Sequence, residues 1–369
     1  MPKKPINFFN TFIEADAHKN IKKVLDSTML SEGKVVKEFE NKLRIELGLV
    51  NPVALNSGTS SLHLALVLAG IKDGDEVILP AQTFIATGMV IAQEKAVPIF
   101  ADIQLNTGNI DPKSIEKKIT KKTKAIIVVH WAGYPADIDE INIIAKKHNL
   151  IVIEDAAHAL GATYKNKPVG SISPFTCFSF QSIKHLTTGD GGTLCVKNQG
   201  KLREAIAKRW FGIDRTNSKQ SELGERKYDV ASVGYKYHMN NYSAALGLSN
   251  LKNFKSRLEK RRKIAEKYRK ELKNVTGIKL FEEKTDRVSA YWQFGFHVQR
   301  RLDFICKLKK AGIPTSVVHM GIDHNSVFGG KKNLPNQRKF DQTQIHIPIH
   351  DNLDKTQINH IIETIKKGW

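Results

Sequence analysis

Apolar positions in the first half of the chain form short β-rich runs separated by longer amphipathic stretches. The runs are, in order, VALNS, EVILP, VPIFADI, KAIIVVH and LIVIED. Stretches of helical periodicity, such as TSSLHLALVLAG and DIDEINIIAKKHN, lie between them, and the strands FTCFSF and GTLCVK follow. This alternation is typical of βαβ units. The sequence therefore predicts an α/β fold with a largely parallel sheet covered by helices on both faces.

The pattern changes after about residue 250. LKNFKSRLEKRRKIAEKYRKELKN predicts a long amphipathic helix, and a β-rich stretch and two more helices follow it. The apolar residues that recur at helical spacing along the long helix are Leu251, Phe254, Leu258, Ala265, Tyr268 and Leu272. We therefore expect a large α/β domain over residues 1–250 and a smaller C-terminal α+β domain over residues 251–369.

The composition indicates a globular protein. With 369 residues, 41% of them hydrophobic, the chain can bury a large core. No run approaches the roughly 18 apolar residues of a membrane span, and the first residues lack the apolar segment of a signal peptide. We expect a cytoplasmic protein with no membrane partner. The spacing of Cys177, Cys195 and Cys306 fits no metal or redox motif, so we expect buried or inert thiols and no metal.

The formal net charge of +21 is compatible with nucleic acid, an anionic membrane surface or small anionic substrates as partners. Many of the basic residues surround the apolar stripe of the long helix, as on a solvated helix face. A nucleic-acid-binding module would interleave aromatic and basic residues or contain a reader motif, and neither is found. We therefore expect no nucleic-acid partner.

Residues able to bind a ligand follow the predicted strands, where ligands bind in open α/β sheets. NSGTSSL places Gly58 and Thr59 at a helix N-terminus that suits a phosphate, although an ordinary helix cap is the alternative. Phe84 follows EVILP and can stack on a planar ring, or it can be a core residue. Each of these signals is weak alone, and both become more informative together with Asp155 and Lys184.

Asp155 and Lys184 are the most informative of these residues. LIVIED ends an apolar strand in Asp155, which needs a partner unless it caps the following helix. CFSFQSIKHLTTGDGG carries another apolar strand into Lys184, where partial desolvation lowers the pKa and leaves a neutral amine that attacks aldehydes. An aldehyde, a protonated pyridine beside a carboxylate and a phosphate together describe pyridoxal phosphate.

The sequence resembles the DegT/DnrJ family of sugar-nucleotide aminotransferases, which have fold type I of the aspartate aminotransferase superfamily. The motifs that carry the resemblance are STMLSEGKVVKEFENKL, NSGTSSL, PAQTFIAT, VVHWAGYPADID, IEDAAHALGA, SFQSIKHLTTGDGG, GYKYHMNNYSAALGL and IHIPIHDNL. They extend over nearly the whole chain, and their number, order and spacing make the resemblance specific.

The resemblance implies roles around the cofactor ring. Lys184 would bind the aldehyde of pyridoxal phosphate and, once freed, move a proton between substrate and cofactor. Asp155 would pair with the ring nitrogen. His158, where many relatives have glutamine, would contact the ring hydroxyl, and Phe84 would stack on the ring.

The resemblance also implies a phosphate site shared between two subunits. Gly58, Thr59 and Ser179 would hold the phosphate. In this family a residue of the GYKYHMNN loop, typically asparagine, reaches the phosphate from the partner subunit, and Lys236 takes its place here. We therefore expect a homodimer with shared active sites. His319, in TSVVHMG, matches a histidine of the family's substrate loop.

The expected reaction moves the amino group of L-glutamate, through the pyridoxamine phosphate form, onto a nucleotide-linked keto-deoxy sugar. C4 of an NDP-4-keto-6-deoxyhexose is the preferred position, because DAAHA and GYKY are similar to members that act there. Both substrates are anions, so we expect Arg215 and Lys236 to lie on a basic rim that attracts them.

Three alternatives to this reaction stay open. In the first, the acceptor is an NDP-3-keto sugar. In another, the chain belongs to the sugar 3-dehydratase branch, which has histidine at the lysine position. Five residues after Ser179 stands Lys184, and His185 comes one place later, which favours transamination. A homologue that acts by binding alone would lack the lysine.

Overall fold

The computed structural model describes residues 4–215 and 219–369. Its helices are α1 (Ala17–Asp26), α2 (Lys34–Leu47), α3 (Gly58–Leu68), α4 (Ala86–Gln93), α5 (Pro112–Lys118), α6 (Ile138–Lys147), α7 (Gln199–Lys208), α8 (Asn241–Leu251), α9 (Phe254–Leu272), α10 (Arg301–Lys310), α11 (Pro335–Thr343) and α12 (Lys355–Lys366). Its strands are β1 (Pro52–Leu55), β2 (Glu76–Pro80), β3 (Val97–Ala101), β4 (Thr123–Val129), β5 (Ile151–Asp155), β6 (Thr163–Tyr164), β7 (Lys167–Pro168), β8 (Phe175–Ser179), β9 (Gly192–Val196), β10 (Lys219–Gln220), β11 (Arg226–Lys227), β12 (Ile278–Leu280), β13 (Arg287–Val288), β14 (Phe294–Val298) and β15 (Gln344–Ile347).

A seven-stranded sheet forms the centre of the N-terminal part, in the order β1-β9-β8-β5-β4-β2-β3. The strands from β8 to β3 run parallel to their neighbours. Strand β9 is antiparallel to both β8 and β1. The predicted α/β fold with a largely parallel sheet is therefore confirmed, and each predicted run overlaps a strand.

Helices cover both faces of this sheet because alternate strand residues point to opposite sides. In β2, Val77 and Leu79 pack in an apolar cluster with residues of α3 and α4. Ile78, between them, packs in a different cluster with residues of α5 and α6. In β5, Ile153 faces the α3 and α4 side. Asp155, two positions later, is therefore directed toward the same side.

A smaller antiparallel sheet, in the order β12-β14-β15, lies in the C-terminal part. Residues of α9, α10 and α12 form a core with it, which Ile6 of the N-terminal segment joins. Strand β13 pairs with β6, so hydrogen bonds also cross the boundary that we expect near residue 250. The division into domains at that residue stays a prediction.

The basic helix differs from its prediction at its start. All six apolar residues of the predicted stripe are buried. However, α8 ends at Leu251 and α9 begins at Phe254, so the stripe belongs to two successive helices. The apolar spacing continues across the break because both helices bury these residues in the same protein interior.

Two of the three cysteines match their prediction. Cys177 and Cys195 are buried, and burial raises the pKa of both thiols. Cys306 is exposed on α10, so of the two alternatives an inert thiol stays the prediction for it. Among residues 4–215 and 219–369, no helix has both the length and the apolarity needed to cross a bilayer.

Candidate active site

A cavity of about 390 Å³ opens at the carboxyl ends of β5 and β8. The N-termini of α3 and α4 form one side, and residues of the C-terminal part close the other. Eight of the ten predicted site residues line this cavity: Gly58, Thr59, Phe84, Asp155, His158, Ser179, Lys184 and His319. The structure therefore brings together residues that are up to 261 positions apart in the sequence, from Gly58 to His319.

The first turn of α3 forms one end of the cavity. Ser57 caps the helix, and its hydroxyl accepts a 3.0 Å hydrogen bond from the amide of Ser60. Amides of a first turn lack acceptors within the helix. A Cβ atom at Gly58 would lie only 2.9 Å from Cβ of Ser179. Glycine therefore allows the helix N-terminus to approach the end of β8, and amides and hydroxyls meet there in a place suited to an anion.

Asp155 ends β5 as a buried carboxylate with two hydrogen-bond donors. Its Oδ2 accepts a 2.8 Å bond from the hydroxyl of Thr87, and its Oδ1 accepts a 3.1 Å bond from the amide of Ala157. Burial raises the pKa of Asp155, although both bonds and the nearby Lys184 oppose this. No helix follows, since residues 156–162 form turns, so the helix-cap interpretation of Asp155 is wrong.

Lys184 lies in the turn five residues beyond the end of β8. Its amide donates a 2.9 Å hydrogen bond to the carbonyl of Gln181, which helps to fix the turn. Burial lowers the pKa of Lys184 to about 7, partly opposed by the charge of Asp155. The lowered pKa is as predicted, and a large fraction of this amine is neutral near pH 7. Such an amine can attack an aldehyde.

Aromatic rings line the rest of the cavity. The imidazole of His158 stacks on Trp292, with ring centroids 3.8 Å apart and planes at 11°. The ring of Phe84 is 5.3 Å from that of His319. Phe84 is 53% exposed, so its interpretation as a core residue is wrong. Burial lowers the pKa of His319 to about 4 and that of His158 well below its usual range, so both imidazoles are neutral at pH 7.

Lys236 and Arg215 do not line the cavity of their own chain. Both lie against Trp210. The Nζ atom of Lys236 is 3.6 Å from the centroid of this ring, and the guanidinium carbon of Arg215 is 5.0 Å from it. Arg215 also forms a 3.4 Å ion pair with Glu32. Their position on a basic rim around the site stays a prediction.

The cavity lining also includes residues that the sequence did not point to, among them Phe9, Thr87, Gln181, Asp190 and Trp292. Thr87 follows Thr83 by four residues, and their hydroxyls are 2.7 Å apart. Because residues four apart lie on the same face of a helix, this spacing could have indicated that Thr87 lies beside Thr83. Phe9 and Trp292 come from distant segments without a local motif, so only the folded chain reveals them.

Comparison with known proteins identifies the family. The profile of the DegT/DnrJ/EryC1/StrS aminotransferase family matches residues 11–366. The chain belongs to this family. It is 32% identical to GDP-perosamine synthase of Escherichia coli O157:H7, over 95% of this chain and 94% of the relative. It is also 32% identical to UDP-4-amino-4,6-dideoxy-N-acetyl-beta-L-altrosamine transaminase of Campylobacter jejuni, over 94% of this chain and 95% of the relative.

A solved structure extends the similarity to three dimensions. Spr1654 of Streptococcus pneumoniae, in its PMP form, superposes with a TM-score of 0.90 at 30% identity, over 99% of this chain and 97% of that chain. The same protein has been solved in a PLP form. The resemblance and the fold class are therefore confirmed, and the family is one of PLP-dependent sugar-nucleotide aminotransferases.

The cavity of this DegT/DnrJ/EryC1/StrS member has the chemical groups that pyridoxal phosphate needs. Its volume lies within the roughly 300–1,000 Å³ of small-molecule and cofactor sites. The lysine of lowered pKa could bind the aldehyde, and the buried carboxylate of Asp155 could pair with a protonated ring nitrogen. The close approach at Gly58 brings the first-turn amides of α3 beside Ser179, and together they could hold a phosphate. The residues present thus fit the cofactor.

Proposed function

We propose that this protein is a PLP-dependent aminotransferase that moves the amino group of L-glutamate onto C4 of a nucleotide-linked 4-keto-6-deoxyhexose. The observation that carries the proposal is the pair of Lys184, with a pKa of about 7, and buried Asp155 in one cavity. Bound pyridoxal phosphate supplies the electron-accepting ring and carries the amino group between the two substrates.

Lys184 and Asp155 perform the central steps in this proposal. Lys184 would hold the cofactor at rest through its aldehyde. Once freed, its amine would move a proton from the glutamate carbon that bears nitrogen to the cofactor, and in the second half-reaction from the cofactor to the sugar carbon that gains nitrogen. Asp155 keeps the ring nitrogen protonated, and the hydrogen bonds from Thr87 and Ala157 hold the carboxylate in place. His158 contacts the ring hydroxyl and Phe84 packs on the ring.

The phosphate binds at the N-terminus of α3 in this proposal. The backbone of Gly58 and the hydroxyls of Thr59 and Ser179 contact it, and the partial positive charge of the helix end favours the anion. His319, at the opposite wall of the cavity, contacts the sugar substrate.

A homodimer completes the site in this proposal. Among the described residues that line the cavity, Lys184 is the single lysine or arginine. Both substrates and the cofactor are nevertheless anions. Lys236 and Arg215 lie outside the cavity of their own chain, and we assign them to the site of a second copy, where they contact phosphate and the substrate.

The preference for C4 rests on a relative, and the preference for transamination rests on Lys184. The name of the Campylobacter jejuni relative specifies a 4-amino-4,6-dideoxy sugar, and the names of the two relatives given above include GDP or UDP. A lysine at position 184 favours transamination over dehydration, because an amine is needed to bind the aldehyde. An NDP-3-keto sugar is the alternative acceptor. We place the reaction in the cytoplasm, where nucleotide-linked sugars are expected to be available.

A panel of acceptors tests the proposal. The enzyme is loaded with the amine form of the cofactor from ¹⁵N-glutamate, separated from glutamate and mixed with GDP- and UDP-linked 4-keto and 3-keto sugars. We expect ¹⁵N in the product from a 4-keto sugar and none with Lys184→Ala. Transfer to 3-keto sugars alone would contradict the C4 assignment, and loss of water from the sugar without ¹⁵N transfer would support the dehydratase alternative.

A further inference from the structure

The indole of Trp292 lies against the amino group of Lys184. The Nζ atom is 3.9 Å from the centroid of the indole ring. A cation at this distance from the face of tryptophan is attracted by the electron-rich ring. Within residues 4–215 and 219–369, the amino group of Lys184 forms neither a hydrogen bond nor an ion pair. The aromatic face is therefore its closest favourable contact.

Several contacts fix the position of this indole. Trp292 is only 2% exposed. Its Nε1 donates a 3.1 Å hydrogen bond to the carbonyl of Ile183, the residue directly before Lys184. The ring also stacks on His158 at 3.8 Å. The indole is thus tied to the same turn that carries the lysine, and the two side chains keep their relative position.

The backbone before Trp292 is held in a sparsely populated conformation. Tyr291 has a φ of 49°, in the left-handed region that residues with a Cβ atom rarely adopt. Buried Arg261 donates 3.2 Å hydrogen bonds to the carbonyls of both Tyr291 and Trp292. Such a conformation persists only where the surrounding structure imposes it, and it is common at functional sites.

The charged groups around the cavity do not replace this contact. The other titratable groups that face Lys184 or lie close to it are Asp155, His158, Cys177, His185, Asp190 and His319. The two imidazoles of the cavity, His158 and His319, are neutral because burial lowers their pKa. Asp155 is already engaged by Thr87 and Ala157. Neither the imidazoles nor Asp155 therefore takes the place of the indole face beside the ammonium group of Lys184.

We propose that the face of Trp292 is where the ammonium group of Lys184 rests when the lysine is not bonded to the cofactor, and that the indole sets the basicity of the freed lysine. This inference rests on the proposed role of Lys184. A freed lysine must accept and release a proton within one turnover. An aromatic face attracts the ammonium without accepting its proton, whereas a carboxylate partner would hold the proton more firmly. Trp292 is thus a positioning residue.

Fluorinated tryptophans test this role without changing the packing. Fluorine withdraws electron density from the ring face and changes its size little, so it weakens a cation–π contact in steps. Mono-, di- and trifluorotryptophan are inserted at position 292 and, as a matched control, at position 131. Trp131 is also buried and contacts His158, but it does not contact Lys184. The pKa of Lys184 is measured in cofactor-free protein by acylation at a series of pH values, followed by mass spectrometry of the Lys184 peptide.

We expect the pKa of Lys184 to fall with each fluorine at position 292, by roughly half a unit to one unit for the trifluoro ring, and to stay constant for position 131. An unchanged pKa across the series at position 292, or an equal fall at position 131, would overturn the inference. Because no cofactor is present, this result is independent of the proposed function. The proposed function fails separately if reduced cofactor is not found on Lys184.

Discussion

The hydroxyl of Thr87, in the first turn of α4, donates a 2.8 Å hydrogen bond to Oδ2 of Asp155 at the end of β5. This bond lowers the pKa of a carboxyl that burial raises. Thr87 in turn lies 2.7 Å from the hydroxyl of Thr83. Thr87, bonded to Thr83, thus opposes the effect of burial on the pKa of Asp155 at the point where the proposal needs a negative charge.

Thr87→Val should therefore move the acidic limb of the pH profile to higher pH. Without the hydroxyl, the pKa of Asp155 rises further, so the carboxylate is lost at a higher pH as the solution is acidified. A hydrogen bond to a charged group predicts a shift of roughly one unit in the pH dependence of kcat/KM. Thr87→Ser keeps the hydroxyl and should retain the wild-type profile. An unshifted limb in Thr87→Val would show that this bond does not tune the acid.

Gly58→Ala should weaken cofactor binding. Its Cβ atom would lie 2.9 Å from Cβ and 3.3 Å from Cα of Ser179, so the start of α3 must move away from β8. We expect the Kd for pyridoxal phosphate to rise by about tenfold or more, because the phosphate contacts depend on this approach. Visible absorption during titration of the apoenzyme gives the value. Gly200→Ala, at an exposed helix start, serves as the control and should bind normally.

Mixing two impaired variants should restore activity if the sites are shared between subunits. Lys184→Ala lacks the cofactor lysine, and Lys236→Ala lacks the residue that we assign to the partner's phosphate. A mixed dimer contains one complete site, so random exchange should give about a quarter of the wild-type activity.

The matched control for this mixing experiment combines Lys184→Ala with Asp155→Ala. Both changes affect residues of one chain's own cavity, so every site in the mixed dimer lacks one of them. No activity should return. Equal recovery in both mixtures, or none in the first under conditions where subunits exchange, would argue against a shared site.

The lysines of α9 should contribute little to catalysis. Lys260, Lys263 and Lys267 line a surface groove that has no residue in common with the cavity. Replacing all three by alanine should leave kcat/KM nearly unchanged. Arg215→Ala should lower it by about tenfold, mainly through KM, since a charge-assisted contact to an anion is lost.

Salt provides an independent measurement of the same charges. Screening limits charge interactions to about 10 Å at 0.1 M salt, so KM should rise with ionic strength while kcat changes little. Equal losses in the triple lysine variant and in Arg215→Ala would contradict the assignment and would favour a role for α9 in binding a larger anionic partner.

Local sequence patterns were sufficient for much of the fold. The run EVILP has the same bounds as β2, Glu76–Pro80. A dense apolar run with polar residues on either side marks where a buried strand begins and ends. The break between α8 and α9 was not predictable in the same way. The apolar spacing of Leu251 and Phe254 continues across it, so a pattern of buried positions does not reveal where one helix stops.

The site was predictable where its residues follow strands, and less so elsewhere. Asp155 and Lys184 could be recognised because an ionisable side chain after an apolar strand is costly without a function. Trp292 reaches the cavity because the C-terminal part packs against the sheet. No local sequence pattern indicates that this residue belongs to the site. The place that we propose for Lys236 would depend on how two chains assemble, which a single sequence pattern does not contain.

Reduction with borohydride tests the central claim most directly. Purified protein is incubated with pyridoxal phosphate, treated with borohydride, digested and analysed by mass spectrometry, alongside Lys184→Ala. We predict that the reduced cofactor is attached to the Lys184 peptide, because this lysine combines a pKa of about 7 with a position in the cavity. Lys184→Ala should bind the cofactor without a covalent bond and show no turnover. An unmodified Lys184, or modification spread over surface lysines, would contradict the account.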